Sequence, residues 1–245
     1  MRIVALVPAR AGSKGVPNKN LVSLGGFPLL EWTVRASLLT PQISRTIVST
    51  DSDQYANVAK SLGAEVPFLR PSEFAQDNSS DSQFVLHALN FLDDEGYYPD
   101  YFVHLRPTTP FRDPKVIEQA IEMFVTLATT HTSLRSVHVM SESAYKTMEI
   151  DGDGLLMASF SHEYDLEASN GARQTFPTTY TPNGYVDVLS CNHIRESGKI
   201  HGNRVKAYMT ETVIELDTLE ELRILELQLK LNLEPLERLF SNHVF

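Results

Sequence analysis

The sequence predicts an α/β domain in which helices cover both faces of a twisted, mostly parallel sheet. The chain has 245 residues, 42% of them hydrophobic, which is enough to bury a full core in one domain spanning residues 1–245. Its first segment, Ile3 to Val7, is short, apolar and β-branched, as is typical of a strand buried in a parallel sheet. Strand-like and helix-like segments then alternate, which indicates repeated βα units.

Composition excludes several classes of protein. The 21 Lys and Arg residues against 31 Asp and Glu residues give a net charge of −10, which argues against a nucleic-acid or anionic-membrane partner. No apolar run approaches the ~18 residues of a membrane helix, and the N-terminal run is too short for a signal sequence, so we expect a cytoplasmic protein. The single Cys191 excludes an internal disulfide.

The helical spacing of Leu29, Leu30, Val34 and Leu38 predicts a first crossover helix from Pro28 to Leu39. Four further strands are predicted, at Thr46 to Thr50, Ala64 to Leu69, Asp100 to Leu105 and Ser133 to Met140. Three further helices are predicted between them, at Asp53 to Leu62, at Gln83 to Leu92, and from Asp113-Pro114 to about Leu127.

Regular βα units stop between Ser141 and Pro182. Short strand-like pieces, Tyr145 to Ile150 and Gly154 to Ala158, alternate there with polar, aromatic and turn-forming residues. This composition is typical of an exposed excursion from the domain. The remaining predicted elements are a short helix at Cys191 to Glu196, an edge strand at Lys206 to Met209, a strand at Val213 to Thr218 and a helix at Leu219 to Leu231.

The loop after the first strand, Pro8 to Asn20, contains the strongest chemical signal. It combines glycines, which expose peptide N–H groups, with the cations Arg10, Lys14 and Lys19. This combination at the carboxyl end of a strand suits a polyphosphate, although composition alone is equally compatible with a solvated basic turn. The spacing matches neither a P-loop nor a dinucleotide-binding motif.

Two acidic motifs could hold a metal. On a strand Glu215 and Asp217 would project from one face, as suits Mg²⁺; alternatively, Asp217 or Thr218 caps the helix that follows. The second motif, Asp51-Ser52-Asp53, resembles the Asp-x-Asp metal site of many glycosyltransferases, but capping of the next helix by Ser52 or Asp53 explains it equally well.

Three motifs together resemble the acylneuraminate cytidylyltransferases, also called CMP-sialic acid synthetases. The first strand is followed by Ala9-Arg10, Ser13-Lys14-Gly15 and Lys19-Asn20; Leu105 to Arg112 is similar to Leu-x-Pro-Thr-Ser-Pro-x-Arg; and Arg173 to Pro177 matches Arg-Gln-x-x-Pro. The relatives that activate 3-deoxy-manno-octulosonate carry a different first loop, which favours nonulosonic acids as substrates.

The resemblance implies a nucleotide-diphospho-sugar transferase-like fold with a small β-rich dimerisation arm at about residues 141–182. It implies a homodimer that uses Mg²⁺ to couple CTP to a nonulosonic, sialic-acid-like 2-keto sugar acid, releasing pyrophosphate and giving a CMP-sugar for cell-surface polysaccharide synthesis. Three positions depart from the family pattern: Arg106 replaces Gln or Asp, Thr181 replaces Arg, and Glu215 replaces Asp.

The resemblance also implies the roles of individual residues. Catalytic roles fall on Arg10, Lys14, Lys19 and Asp217. Nucleotide binding falls on Ala9, Arg10, Gly12, Ser13, Lys14, Lys19, Asn20, Arg70, Ser79 and Asp81. Sugar binding falls on Arg106, Thr108, Lys146, Arg173 and Gln174, and the metal ligands would be Asp217 and Glu215.

Two other classes of function stay open on the sequence alone. A glycosyltransferase of related architecture would use Asp51-Ser52-Asp53 for its metal and would consume a nucleotide sugar. A non-catalytic nucleotide-binding protein would keep the loop after the first strand without a metal site.

Overall fold

A computed structural model of the protein describes residues 1–241 and contains ten strands and seven α-helices within them. The strands are β1 (Ile3–Pro8), β2 (Ser23–Leu24), β3 (Phe27–Pro28), β4 (Arg45–Ser49), β5 (Tyr101–His104), β6 (Ser133–Val139), β7 (Met148–Ile150), β8 (Leu156–Ala158), β9 (Tyr180–Ser190) and β10 (Val205–Met209). The helices are α1 (Leu29–Leu38), α2 (Asp53–Ser61), α3 (Asp81–Asp94), α4 (Pro114–Leu127), α5 (Cys191–Ser197), α6 (Leu219–Leu231) and α7 (Glu234–Phe240). Among the described helices, none combines the length and the apolar character needed to span a bilayer.

Six strands form the central sheet in the order β10-β6-β9-β5-β1-β4. The pairs β1 with β4, β1 with β5, and β10 with β6 are parallel, whereas β9 runs antiparallel to both of its neighbours. The predicted mostly parallel α/β sheet is therefore confirmed. Since β1 lies between β4 and β5, the loop that follows β1 emerges beside the loop that follows β5.

Helices cover both faces of this sheet because β1 alternates its side chains between two cores. Ile3, Ala5 and Val7 join a cluster that includes residues of α1, α4, α6 and α7, whereas Val4 and Leu6 join a second cluster with α3 and α5. All five side chains are buried. This two-residue alternation is what a central strand covered by helices on both faces requires.

Two segments predicted as strands are not strands. The segment Ala64 to Leu69 forms a single bridge, between Glu65 and Ile47, within the described chain. Pairing does not continue beyond it because Pro67 lacks the N–H that the ladder would need. The segment Val213 to Thr218 is extended but unpaired within residues 1–241, apart from the Leu216 N–H, which donates to the Thr108 carbonyl at 2.8 Å. It crosses over the loop after β5 instead of joining the sheet.

Helix α7 and the β2–β3 hairpin were not predicted from the sequence, and they close the core around Trp32. The Trp32 indole N–H donates to the Leu24 carbonyl at 3.0 Å. The Phe240 ring of α7 lies 4.8 Å from the Trp32 ring and stacks on Phe27 at 3.8 Å. A helix of seven residues with few buried side chains is too short to show a helical repeat of apolar residues in the sequence.

The segment after β6 departs from the main sheet, as its composition predicts. Strands β7 and β8 form a separate two-stranded antiparallel sheet, close to the two pieces expected at Tyr145 to Ile150 and Gly154 to Ala158. Large apolar side chains are exposed on and beside this hairpin, at Met148, Ile150, Leu155, Leu156, Phe160 and Tyr164. A contiguous set of such residues is typical of a surface that binds another macromolecule.

Arg112 fastens the loop after β5 to β9 and α1. Its side chain is fully buried and its five N–H groups face oxygen acceptors, mostly main-chain carbonyls. It donates to Tyr185 O at 2.6 Å, Gly184 O at 2.7 Å, Arg106 O at 2.6 Å, Thr33 Oγ1 at 2.9 Å and Thr109 O. Burial lowers the pKa of Arg112 to about 9, so the guanidinium is still charged at neutral pH.

Replacing Arg112 with Met should destabilise the protein strongly. Met fills much of the same space but leaves the buried carbonyls of Gly184 and Tyr185 without donors, which should lower the free energy of unfolding by on the order of 3 kcal/mol or more. Urea denaturation followed by circular dichroism measures this. As a matched control, Arg223→Met at an exposed position of α6 should change it by less than about 0.5 kcal/mol. Equal effects of the two substitutions would contradict the role given to Arg112.

Candidate active site

A cleft of about 590 Å³ opens at the carboxyl ends of β1 and β5. This is the edge at which open α/β sheets place their ligands. The cleft is lined by Pro8, Arg10, Ser13, Lys14, Gly15, Lys19, Asn20, Arg70, Phe74, Asp77, Ser79, Asp81, Phe84, Arg106, Pro107, Thr108, Glu215 and Asp217. It therefore gathers most of the residues that the sequence indicated, from four separate segments of the chain.

The loop after β1 is held in place along its length. The Ala11 N–H donates to Asp51 Oδ1 at 2.8 Å, and the buried Asn20 side chain donates through Nδ2 to the Arg10 carbonyl at 3.1 Å. Gly15 lies against the main chain of Asp217, where a Cβ atom would collide with the Asp217 carbonyl oxygen. Glycine is needed at position 15 because it lets these two segments touch.

All three loop cations already face carboxylates. Asp77 receives two of them, with Arg10 Nη1 at 3.0 Å from Oδ1 and Lys14 Nζ at 2.5 Å from Oδ2. Hydrogen bonds from Lys14 and then Arg10 lower the pKa of Asp77. The third cation, Lys19, lies 2.7 Å from Asp217 Oδ1. Phosphate oxygens entering the cleft would meet cations that are positioned but already neutralised.

Glu215 and Asp217 both line the cleft, although their segment is not a strand. The Leu216 side chain between them is fully buried and its N–H is bonded to Thr108, so the carboxylates on either side face outward. Burial, with a further contribution from the charge of Asp217, raises the pKa of Glu215.

The capping alternative applies to Thr218 and not to Asp217. Thr218 Oγ1 accepts the Glu221 N–H at 3.2 Å, and Glu221 Oε2 accepts the Thr218 N–H at 2.7 Å, which forms a capping box at the start of α6. Because Thr218 supplies the cap, the Asp217 carboxylate faces Lys19 and the cleft.

A divalent metal would find an incomplete set of ligands in this cleft. Within residues 1–241, His, Cys, Asp and Glu side chains do not form any group of three or more that could hold a metal ion. Glu215 and Asp217 supply carboxylate oxygens at one edge of the cleft, and Mg²⁺ is commonly bound by one or two carboxylates together with substrate phosphates. These two residues fit such an ion only if substrate oxygens complete its coordination.

Arg70 forms a buried part of the cleft wall. It is 5% exposed, donates to Ser49 Oγ at 3.0 Å and to Ser49 O at 2.7 Å, and lies 4.5 Å from the centre of the Phe84 ring. Burial lowers the pKa of Arg70 to about 10, so it brings a positive charge into the cleft at neutral pH. Its bonds to Ser49 fix where that charge lies.

Ser79 and Asp81 also line the cleft, but their side chains make protein contacts. Ser79 Oγ accepts the Gln76 N–H at 3.0 Å and lies 3.1 Å from the Glu73 carbonyl. These contacts shape the loop. Asp81 Oδ2 lies 2.5 Å from Arg106 Nη2.

Three predicted sugar-binding residues lie outside the set that lines the cleft in the described chain. Lys146, Arg173 and Gln174 are all on the excursion after β6. Arg173 is exposed and donates to the Met140 carbonyl at 2.9 Å, whereas Lys146 Nζ lies 5.9 Å from the centre of the Phe176 ring. A single subunit therefore does not bring these residues to the loop cations.

The Asp51-Ser52-Asp53 motif is structural. Asp51 holds the Ala11 N–H, and Ser52 Oγ caps α2 by accepting the Tyr55 N–H at 3.4 Å. Asp53 is the first residue of that helix. This arrangement agrees with the capping interpretation at Ser52 and removes the sequence argument for a glycosyltransferase metal site.

Sequence reasoning missed Asp77, Phe84 and Asp187. Asp187 lies on β9 between Val186 and Val188 and is 1% exposed. A lone acidic residue in an apolar strand is a signal that could have identified it, because such a charge needs a buried partner. Asp77 and Phe84 give no comparable signal, since an acidic residue in a polar loop and an aromatic residue in a helix are ordinary.

Comparison with known proteins gives consistent results. A family model described as "Cytidylyltransferase" matches residues 4–233. N-acylneuraminate cytidylyltransferase of Escherichia coli is 35% identical over 218 residues, which is 88% of this chain and 49% of that protein. CMP-N,N'-diacetyllegionaminic acid synthase of Legionella pneumophila is 33% identical over 239 residues, which is 96% of this chain and 100% of that protein. The chain thus spans about half the length of the first relative and the whole length of the second.

Solved structures agree on the fold. A CMP:2-keto-3-deoxy-manno-octonic acid synthetase complexed with CTP matches with a TM-score of 0.67 at 15% identity, over 93% of this chain and 99% of that one. 4-Diphosphocytidyl-2C-methyl-D-erythritol synthase from Anaerococcus prevotii matches with a TM-score of 0.61 at 14% identity, over 94% and 98%. At this identity the likeness concerns the fold alone. The match to the family model over almost the whole chain is the decisive finding, and the chain belongs to the cytidylyltransferase family of nucleotidyltransferases.

Proposed function

We propose that the protein couples CTP to a nonulosonic, sialic-acid-like 2-keto sugar acid and gives a CMP-sugar and pyrophosphate. The observation that carries the proposal is the cleft itself, which brings Arg10, Lys14 and Lys19 into one cavity with Glu215 and Asp217 at the carboxyl ends of β1 and β5. The names of the relatives from Escherichia coli and Legionella pneumophila support nonulosonic acids as the acceptor class.

The proposed reaction is an in-line attack by the anomeric 2-hydroxyl of the sugar on the α-phosphate of CTP. The hydroxyl oxygen bonds to the α-phosphorus and its proton is released to water, while the bond from the α-phosphorus to the bridging oxygen breaks and pyrophosphate leaves with that oxygen. Arg10, Lys14 and Lys19 would hold the triphosphate and neutralise the charge that grows on the leaving pyrophosphate. Such a site works mainly by positioning and electrostatics.

Mg²⁺ is the proposed cofactor, held by Asp217 and Glu215 with phosphate oxygens. When bound there, the ion would supply positive charge to the phosphates. Lys19 contacts Asp217 at 2.7 Å, so this chain keeps the carboxylate charge balanced without the ion. Glu215 stands where the resembled family has Asp, so Asp217 is the ligand on which the proposal mainly rests.

The homodimer is proposed from the β7–β8 arm and from the location of Arg173. The arm exposes large apolar side chains that include Ile150, Leu155 and Phe160, and pairing of two arms would bury them. Arg173 lies on the same excursion, away from its own cleft. In a dimer it can serve the partner's cleft, where its planar guanidinium would bind the sugar carboxylate with two parallel hydrogen bonds.

The direct test is to incubate the protein with CTP, Mg²⁺ and a panel of nonulosonic acids. We expect pyrophosphate release that requires both the metal and a sugar acid, together with a CMP-sugar detected by mass spectrometry. Release with sugar-1-phosphates as the acceptors, or with no member of the panel, would contradict the proposal.

Asp217→Asn should lower activity by about a hundredfold or more. Asn keeps the size of the side chain but removes the charge that a metal ion needs, and Thr218, not Asp217, caps α6, so the melting temperature should change little. Thr218→Ala is the matched control. It should lower the free energy of unfolding by about 1 kcal/mol while keeping most of the activity. Activity near that of the wild type together with a lowered melting temperature in Asp217→Asn would show that Asp217 has a structural role instead.

Mixing two damaged variants tests the arm. Arg173→Ala should raise the apparent KM for the sugar by roughly thirty- to a hundredfold, because a charge-assisted carboxylate contact is lost. If Arg173 serves the partner's cleft, mixed dimers of Arg173→Ala with Asp217→Asn contain one intact cleft. Randomly reassorted subunits should then recover roughly a quarter of wild-type activity at low sugar concentration.

The control for mixing pairs Asp217→Asn with Glu215→Ala, which damage the same cleft and should not complement each other. If Arg173 acts only within its own subunit, the Arg173→Ala mixture will behave like this control. A monomer of 27.5 kDa with full activity in sedimentation experiments would also contradict the dimer.

A further inference from the structure

A row of polar side chains crosses three neighbouring strands beneath the cleft. His104 on β5 and Arg135 on β6 are both paired in register with Asp187 on β9, which lies between them. His104 Nδ1 lies 3.7 Å from Asp187 Oδ2, and Arg135 Nε lies 3.7 Å from Asp187 Oδ1. Both distances are too long for hydrogen bonds.

This row is confined to the cleft end of its sheet face. Farther along the same face, Phe102 on β5 and Leu189 on β9 belong to the hydrophobic cluster shared with α3 and α5. Asp187 is 1% exposed and His104 is fully buried. Within residues 1–241, Asp187 Oδ1 and both ring nitrogens of His104 have no hydrogen-bond partner. A row that served stability alone would be better filled by apolar residues of similar volume.

Asp187 keeps its charge in this environment. Burial would raise the pKa of Asp187, but the neighbouring His104, Arg106 and Arg135 outweigh burial and lower the pKa to about 2. The hydrogen bond that the carboxylate does receive comes from Arg106, whose Nη1 lies 3.2 Å from Asp187 Oδ2. Arg106 is therefore the group to which Asp187 is directly coupled.

Arg106 is held between two carboxylates at the wall of the cleft. Its Nη2 lies 2.5 Å from Asp81 Oδ2, and its Nη1 contacts Asp187. The Asp81 side chain is 38% exposed, whereas that of Asp187 is 1% exposed. Because water screens an exposed pair strongly and a buried pair much less, Asp187 is the partner that fixes the guanidinium.

We propose that Asp187 is a positioning residue that acts through Arg106. It holds the guanidinium so that the remaining N–H groups of Arg106 face the cleft, where they bind oxygens of the acceptor sugar acid and set the apparent affinity for that substrate. The inference rests on the proposed function in identifying the acceptor. It joins Arg106, which replaces the Gln or Asp usual at this position in the resembled family, to a buried charge on another strand.

The test is a double-mutant cycle between Asp187→Asn and Arg106→Gln, with Gln as a residue commonly found at this position in the resembled family. Asp187→Asn should raise the KM for the sugar acid by about tenfold or more while kcat and CTP affinity stay within about threefold. When Arg106 is already Gln, Asp187→Asn should alter the KM for the sugar acid by less than about twofold, because the guanidinium through which Asp187 acts is absent. Effects that multiply in the double variant, or an equal loss of CTP affinity, would overturn the inference.

Asp93→Asn is the matched control, since Asp93 also pairs with an arginine, Arg195, at 2.8 Å but on the surface away from the cleft. It should leave both KM values unchanged. If Asp187→Asn alone fails to fold, the folding of the double variant with Arg106→Gln tests the inference instead. A folded double variant would show that the charge of Asp187 is balanced by Arg106, whereas an unfolded one beside a folded Arg106→Gln would overturn the inference.

A readout without substrate separates this inference from the proposed function. In protein labelled with ¹⁵N-arginine, a held guanidinium gives separate Nη signals in NMR spectra, and the Arg106 signals are those that disappear in Arg106→Gln. Asp187→Asn should merge them. If wild-type protein makes no CMP-sugar, the proposed function fails, and unchanged Arg106 signals in Asp187→Asn would overturn the positioning role independently.

Discussion

The geometry of the cleft depends on one buried guanidinium. Arg112 donates to carbonyls of the loop after β5, at Arg106 and Thr109, and to carbonyls of β9, at Gly184 and Tyr185. The loop after β5 forms the inner wall of the cleft through Arg106, Pro107 and Thr108, and β9 is the strand to which Arg112 anchors that loop. Because carbonyl dipoles and not a carboxylate receive the charge, the arrangement is selective for a planar group with several donors in fixed directions, which lysine cannot supply.

The rest of the cleft is assembled on that wall by short main-chain contacts. The Thr108 carbonyl receives the Leu216 N–H at 2.8 Å, which sets the position of Glu215 and Asp217. Gly15 then touches the Asp217 carbonyl, so the loop after β1 is located by the same wall. Displacement of the loop after β5 would therefore displace both the loop cations and the carboxylates, although Lys19 and Asp217 are 198 positions apart in the sequence.

Local patterns predicted much of this fold and little of the long-range pairing. The apolar run of β1, the Asp113-Pro114 start of α4 and the cap at Thr218 depend on near neighbours, and each is observed. The Val213 to Thr218 segment has the alternation of a strand but lies over a loop. Alternation reports which side chains are buried, and it does not report whether the backbone has a partner strand.

The partners of the site cations show the same limit. Arg10 and Lys14 were identified from the sequence, but their carboxylate partner Asp77 was not, since nothing local relates a polar loop to a residue 67 positions earlier. The pairing of Arg106 with Asp187 spans 81 positions and is equally invisible to pattern analysis. Residue types can indicate the chemistry of a site, whereas the balance of its charges is a property of the folded chain.

Asp77 has a consequence for how the cleft distinguishes its ligands. Its two oxygens contact Arg10 and Lys14, so the protein carries its own anion where phosphates would bind. As in ion exchange, a nucleotide gains only the difference in free energy between its own contacts with these cations and the Asp77 contacts that it displaces. A ligand with several phosphate charges wins that exchange more readily than one with a single phosphate, so the length of the phosphate chain itself becomes a criterion of selection.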